Sequence, residues 1–140
     1  MNLDSMFSGT TIPALQETVR FAEARHRLLA GNIANLDTPG YQVRDLSPER
    51  FQELLGKAIE SSKRGDASGG VSYDGSDEQD PIRRVRDQMK AILRHDGSDV
   101  GLEPQVLQIA KNQSLHSMSI ALLRKQFALL QTAISERVDV

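Results

Sequence analysis

The chain has 140 residues, with 17 Lys and Arg against 19 Asp and Glu, no Cys, no Trp, two Tyr and four Phe. That length suits one domain, and the near-balance of charge excludes a broad nucleic-acid or anionic-membrane footprint. Without cysteine there is no disulfide framework and no thiolate site, and with so few aromatics the packing falls to aliphatic side chains, which suits long helices.

The opening MNLDSMFSGTTIPALQ carries neither a basic segment nor an apolar one, which predicts no cleaved secretory signal. No apolar run is long enough to span a bilayer. From Ile12 a heptad begins: Ile12, Leu15, Val19, Ala22, His26, Leu29, Ile33 and Leu36, at alternating steps of three and four. All but His26 are apolar, which predicts a helix over 12–36 with one stripe suited to coiled-coil-like pairing. Thr11 stands where a hydroxyl can cap the first turn, and Pro13 loses nothing there by lacking an N–H.

At residues 37–46 the chain turns and exits. Pro39 forces Thr38 out of helical geometry, and Thr38-Pro39-Gly40-Tyr41 matches a type II turn with Gly40 supplying the positive φ. Asn32 and Asn35, three apart, neighbour each other on the last helical turn, where their amides can hold free carbonyls or the returning chain. Tyr41 can then lie back on the helix. This is a rigid exit from helix to strand or loop.

The segment 47–100 varies in character. Ser47 to Arg64 places Phe51, Leu54, Leu55, Ala58 and Ile59 at helical spacing behind a cap-like Ser47, so it reads as a short amphipathic helix. Residues 65–80 are rich in Gly, Ser and Asp and cannot repay their ordering by burial, which predicts a mobile loop. Pro81 to Arg94 reads as a helix or a partly extended arm, and His95 to Asp99 as turn chemistry.

A second heptad runs over 102–137: Leu102, Val106, Ile109, Gln113, His116, Ile120, Leu123, Phe127, Leu130 and Ile134. Pairing of the two long helices along these stripes makes the expected fold all-α, with an irregular middle. In the same lettering the c positions are also apolar: Ala14, Phe21 and Leu28 on the first helix, Leu115, Leu122 and Leu129 on the last. This second stripe lies roughly 130° around each helix and must be covered by the middle segment or by other subunits. The alternatives are a closed bundle and an oligomer.

Chemistry finds little footing. His26, His95 and His116 are far apart in sequence without a ligand-spaced partner, and His26 and His116 read as register-setting polar residues in the seam. No phosphate loop, nucleophile elbow or zinc-protease motif is present. The carboxylates Asp74, Asp77, Glu78 and Asp80 lack calcium-loop spacing, and Arg83, Arg84 and Arg86 form a short run in a chain that is not basic. These patterns predict no catalytic residue, cofactor or metal.

The stretch NIANLDTPGYQ closely resembles the Asn-x-x-Asn-x-x-Thr-Pro-Gly-Tyr signature of the bacterial flagellar axial proteins, the rod, hook and hook-associated family. Asn32, Asn35, Thr38, Pro39, Gly40 and Tyr41 all fall in place. The opening LDSMF and the ending DGSDVGLEPQVLQIAKNQSLHSMSIALLRKQFALLQTAI are similar to the short, proximal rod members of that family. The resemblance implies terminal helices that pair and pack on neighbouring subunits, which makes the c stripes intersubunit surfaces. It also implies export through the flagellar type III apparatus without a cleaved signal. The implied partners are copies of the chain, other rod proteins, the basal-body adaptor FliE, the membrane ring and the export apparatus. A cytoplasmic coiled-coil adaptor or export chaperone is the alternative from another class.

Overall fold

A computed structural model describes residues 11–64, 93–96 and 101–136. The expected loop at 65–80, the arm from Pro81 up to residue 92 and the Gly97 to Asp99 part of the expected turn lie outside the described residues. In chain order the elements are α1 (Ile12–Ala34), β1 (Val43–Leu46), α2 (Pro48–Arg64), β2 (Leu93–Asp96) and α3 (Leu102–Glu136). The architecture is all-α, built on the pairing of α1 with α3, and carries one small antiparallel ribbon.

The start of α1 departs from expectation. Thr11 occupies the N-cap position, but its backbone is itself helical and its side chain makes no capping bond. Its carbonyl accepts from Leu15 N–H at 3.0 Å, and Pro13 sits in the first turn, where a missing donor costs nothing. At the other end α1 stops at Ala34, two residues before the expected Leu36, because the chain tightens toward the turn at Pro39.

α1 and α3 are antiparallel: Asn32 meets Gln105, while Asn112 reaches Ala22 and His116 approaches Glu23. The period of the pairing is heptad, but its phase is not the expected one. The positions buried along α3 are Gln105, Asn112 and Ser119, seven apart, and on α1 they include Arg25 and Asn32. These are polar residues lying between the two apolar stripes in the same lettering. Both helices have rotated so that the polar line faces inward, and on α1 the inward arc widens from the d positions across that line to Phe21 and Leu28 at the c positions, while on α3 only Leu115 of the c positions joins it. His26, expected in the seam, is consequently exposed, and so are Val106 and Gln113; Leu102, the first residue of α3, is exposed as well.

α2 explains the rotation. Phe21 on α1 stacks on Phe51 with ring centroids 4.2 Å apart and planes 9° from parallel. Leu46 and Ala58 complete the buried cluster, with Ala24, Leu28, Leu54, Leu55 and Leu115 packed on it. The middle segment thus folds back over α1's second stripe, and the inward arc must widen to include it. Burying one such phenyl ring contributes roughly 1.5–3 kcal/mol. Ser47 starts α2 with its hydroxyl near Arg50 N–H at 3.4 Å and on Glu49 at 2.7 Å, while its carbonyl accepts from Phe51 N–H. On the helix's exposed side Lys57 bonds Glu53, and that hydrogen bond, then the charge, holds the carboxyl below its ordinary range.

In the ribbon, Val43 pairs with Asp96, Arg44 with His95, Asp45 with Arg94 and Leu46 with Leu93. His95 and Asp96, expected in a turn, are therefore strand, because β1 offers them a hydrogen-bonding edge that local turn propensity does not anticipate.

Candidate functional site: the helix exit and the uncovered face of the long helix

The corner after α1 is held by side chains from three elements. Gly40 has φ of 77°, and Tyr41 N–H donates to Thr38 carbonyl at 3.1 Å, which closes the type II turn. The two asparagines divide the work. Asn35 turns inward on its own helix and donates its amide to Gly31 carbonyl at 2.8 Å, satisfying a carbonyl of the last turn. Asn32, fully buried, reaches the returning chain: its amide nitrogen donates to Arg44 carbonyl at 2.7 Å, and its amide oxygen accepts from Arg44 N–H at 3.1 Å.

That pair of bonds makes Asn32 a substitute strand residue beside β1. Successive residues of a strand direct their backbone groups to opposite edges, so Arg44 bonds Asn32 on one edge while Val43 and Asp45 face β2 on the other. The remaining capacity of the amide is used as well. Its oxygen accepts from the Tyr41 hydroxyl at 3.1 Å, and its nitrogen donates to Gln105 of α3 at 3.3 Å. One side chain thereby ties α1, the turn, β1 and α3.

Two turns of helix further back, Arg25 performs a second tie. Its guanidinium grips the Asp45 carboxylate at 2.8 and 2.7 Å and also donates to Gln108 of α3 at 2.9 Å. Arg25 is almost wholly buried and Asp45 partly so, which makes the two-point geometry the condition for keeping the charge inside.

The remaining expected site residues scatter by burial. In the seam Ile12 and Leu29 are buried, and Leu15, Val19, Ile33, Ile109, Ile120, Leu123 and Leu130 are half-buried, while Phe127 and Ile134 are exposed. Among the six expected intersubunit positions, Phe21 lies at the centre of the chain's own core, Leu28 and Leu115 pack against that core, and Ala14 is half-buried. For Phe21, Leu28 and Leu115 the physical reason is α2, whose apolar face covers them within the chain. Leu122 and Leu129 stay open at 41% and 56% exposure, and Leu107 and Met118 join them on the same side of α3.

Sequence reasoning singled out Asn32 for holding the returning chain but missed the rest of the polar line, Arg25, Gln105, Asn112 and Ser119. Its signal was the spacing of seven between polar residues that fall between the two apolar stripes of each helix. Among the described residues, no group of three or more His, Asp or Glu converges as a metal site, and no helix is long and apolar enough to cross a membrane.

No family model and no solved structure matches the chain. Curated relatives do. The flagellar basal body rod protein FlgB of Salmonella typhimurium is 31% identical over 123 residues, covering 79% of this chain and 83% of the relative. FlgB of Cereibacter sphaeroides is 31% identical over 118 residues, covering 80% and 84%. FlgB of Bacillus subtilis is 25% identical over 131 residues, covering 94% and 97%. With a corner built on the axial-protein signature and relatives matched over most of their own length, the chain belongs to the family of the flagellar basal body rod protein FlgB.

Proposed function

We propose that the chain is a structural subunit of the proximal rod of the bacterial flagellum, polymerising through α1 and α3 and transmitting torque from the membrane ring to the rest of the rod. The observation that carries this reading is α3. Leu107, Met118, Leu122 and Leu129 line one side of the helix in water, and an exposed apolar line of that length marks a surface awaiting protein. The corner at Asn32 and Arg25 supports the mechanical part, because it fixes α1, β1 and α3 to one another with charged and buried polar bonds.

Partners in this reading are copies of the chain, other rod proteins, the basal-body adaptor FliE and the export apparatus. Delivery to the periplasmic side runs through the flagellar type III apparatus without a cleaved signal. The relatives, named as rod proteins, support a structural and not a catalytic role.

The test is quantitative mass spectrometry of basal bodies isolated from the source bacterium, scaled to a known rod protein. Fixed stoichiometry after stringent washing is the expected result. Absence from intact basal bodies, with the chain abundant in the cytosol, would overturn the rod reading in favour of a cytoplasmic adaptor.

A further inference from the structure

Two nitrogens stand where α1, β1 and α3 cross. Nη2 of Arg25 donates to Asp45 Oδ2 at 2.7 Å and to Gln108 Oε1 at 2.9 Å. Nδ2 of Asn32 donates to Arg44 carbonyl at 2.7 Å and to Gln105 Oε1 at 3.3 Å. Each is a planar NH2 group with two diverging hydrogens, and each gives one hydrogen to β1 and the other to α3. Among the described residues no hydrogen bond joins β1 to α3 directly, so their hydrogen-bonded link runs through these two forks.

The two prongs of each fork are unequal. Toward β1, Arg25 holds a carboxylate at two points, and Asn32 brackets both the N–H and the carbonyl of Arg44. Toward α3 each nitrogen meets a single neutral amide oxygen, a weaker bond than a charged pair. The β1 side therefore fixes the plane of both groups, and the plane fixes where the second hydrogen points. Arg25, Asn32 and Gln105 are all nearly or wholly buried. With β1 away, seating α3 would bury a guanidinium without its counter-charge, which is strongly unfavourable.

We propose that β1 governs the seating of α3: the long helix docks in register on α1 only in a chain whose exit from α1 has folded, with Asp45 and the Arg44 backbone acting through Arg25 and Asn32. Asp45 is in this sense a positioning residue for a helix to which it makes no hydrogen bond. The uncovered line of α3 is then held at a fixed orientation only once the corner has formed.

Hydrogen exchange in the full purified chain tests the coupling. Asp45→Asn keeps the shape and an oxygen for Leu46 N–H, but removes the charge that faces Arg25. The expected result is exchange about tenfold faster over 105–112 of α3, a typical size for coupling between two sites. The amides of α2 should change by less than about twofold, as for an uncoupled region. In an Arg25→Met background, where the fork is gone, Asp45→Asn should leave α3 unchanged to within about twofold. Equal acceleration of α2 and α3, or the same acceleration of α3 in that background, would overturn the proposal and leave Arg25 and Asp45 an ordinary buried pair. The reverse test leaves that pair in place: coupling is reciprocal, so Gln105→Leu with Gln108→Leu should speed exchange of the Arg44 N–H severalfold, although neither residue bonds β1. An unchanged Arg44 rate in that variant would equally overturn the proposal.

Discussion

Asn32 uses every hydrogen-bonding site of its amide, and two of those bonds satisfy the backbone of Arg44. Asn32→Ala strands that N–H and C=O together, and each buried unmet group costs roughly 1–3 kcal/mol. We expect a loss of about 2–4 kcal/mol in urea unfolding, with Asn35→Ala costing less because its single partner, Gly31 carbonyl, lies at a helix end open to other donors. Gly40 poses a different question. A side chain there meets nothing within 4 Å, so the penalty of Gly40→Val comes from its φ of 77° and not from a clash. That places it at roughly 1–3 kcal/mol, and the mis-aimed exit should reduce rod assembly. Normal motility together with wild-type stability would show that the turn tolerates other geometries.

Between elements, the two apolar stripes have different fates, and paired substitutions separate them. Phe21→Ala empties a stacked site in the core and should cost about 3–5 kcal/mol of stability in the purified chain. Leu122→Asp alters a side chain already 41% exposed, so purified stability should change by less than about 0.5 kcal/mol. Its effect belongs to assembly: the expected outcome is near-normal export with reduced incorporation into basal bodies. Equal amounts of mutant and natural protein in purified rods would mean that this line of α3 faces no neighbour.

The molecule as a whole is unevenly supported. α3 has 35 residues and α1 has 23, and the antiparallel register sets Ile12 opposite roughly residue 124. The last turns of α3 therefore extend past the described start of α1, and Phe127 and Ile134, which continue the expected stripe and not the observed buried line, are exposed there. Hydrogen exchange in the purified chain should accordingly be slowest over 105–120 and fastest over 126–136 among the described parts of α3. In assembled rods the fast segment should become protected; uniform protection in the free chain would count against the unevenness.

Local chemistry was sufficient for the features that need only near neighbours. Pro39 and Gly40 dictate the turn from their own φ preferences, and the heptad steps locate α1 and α3 because helical periodicity is written along the chain. The signature residues likewise pointed to the family before any contact was known. The phase of the pairing was decided only by tertiary structure, since it depends on α2 claiming Phe21 and Leu28 and so turning the polar line of Arg25, Asn32, Gln105 and Asn112 inward. The same holds for the ribbon, where β2 acquires its form from an edge contributed by residues some fifty positions earlier. Periodicity reports which residues share a face; which face is buried depends on everything else that needs covering.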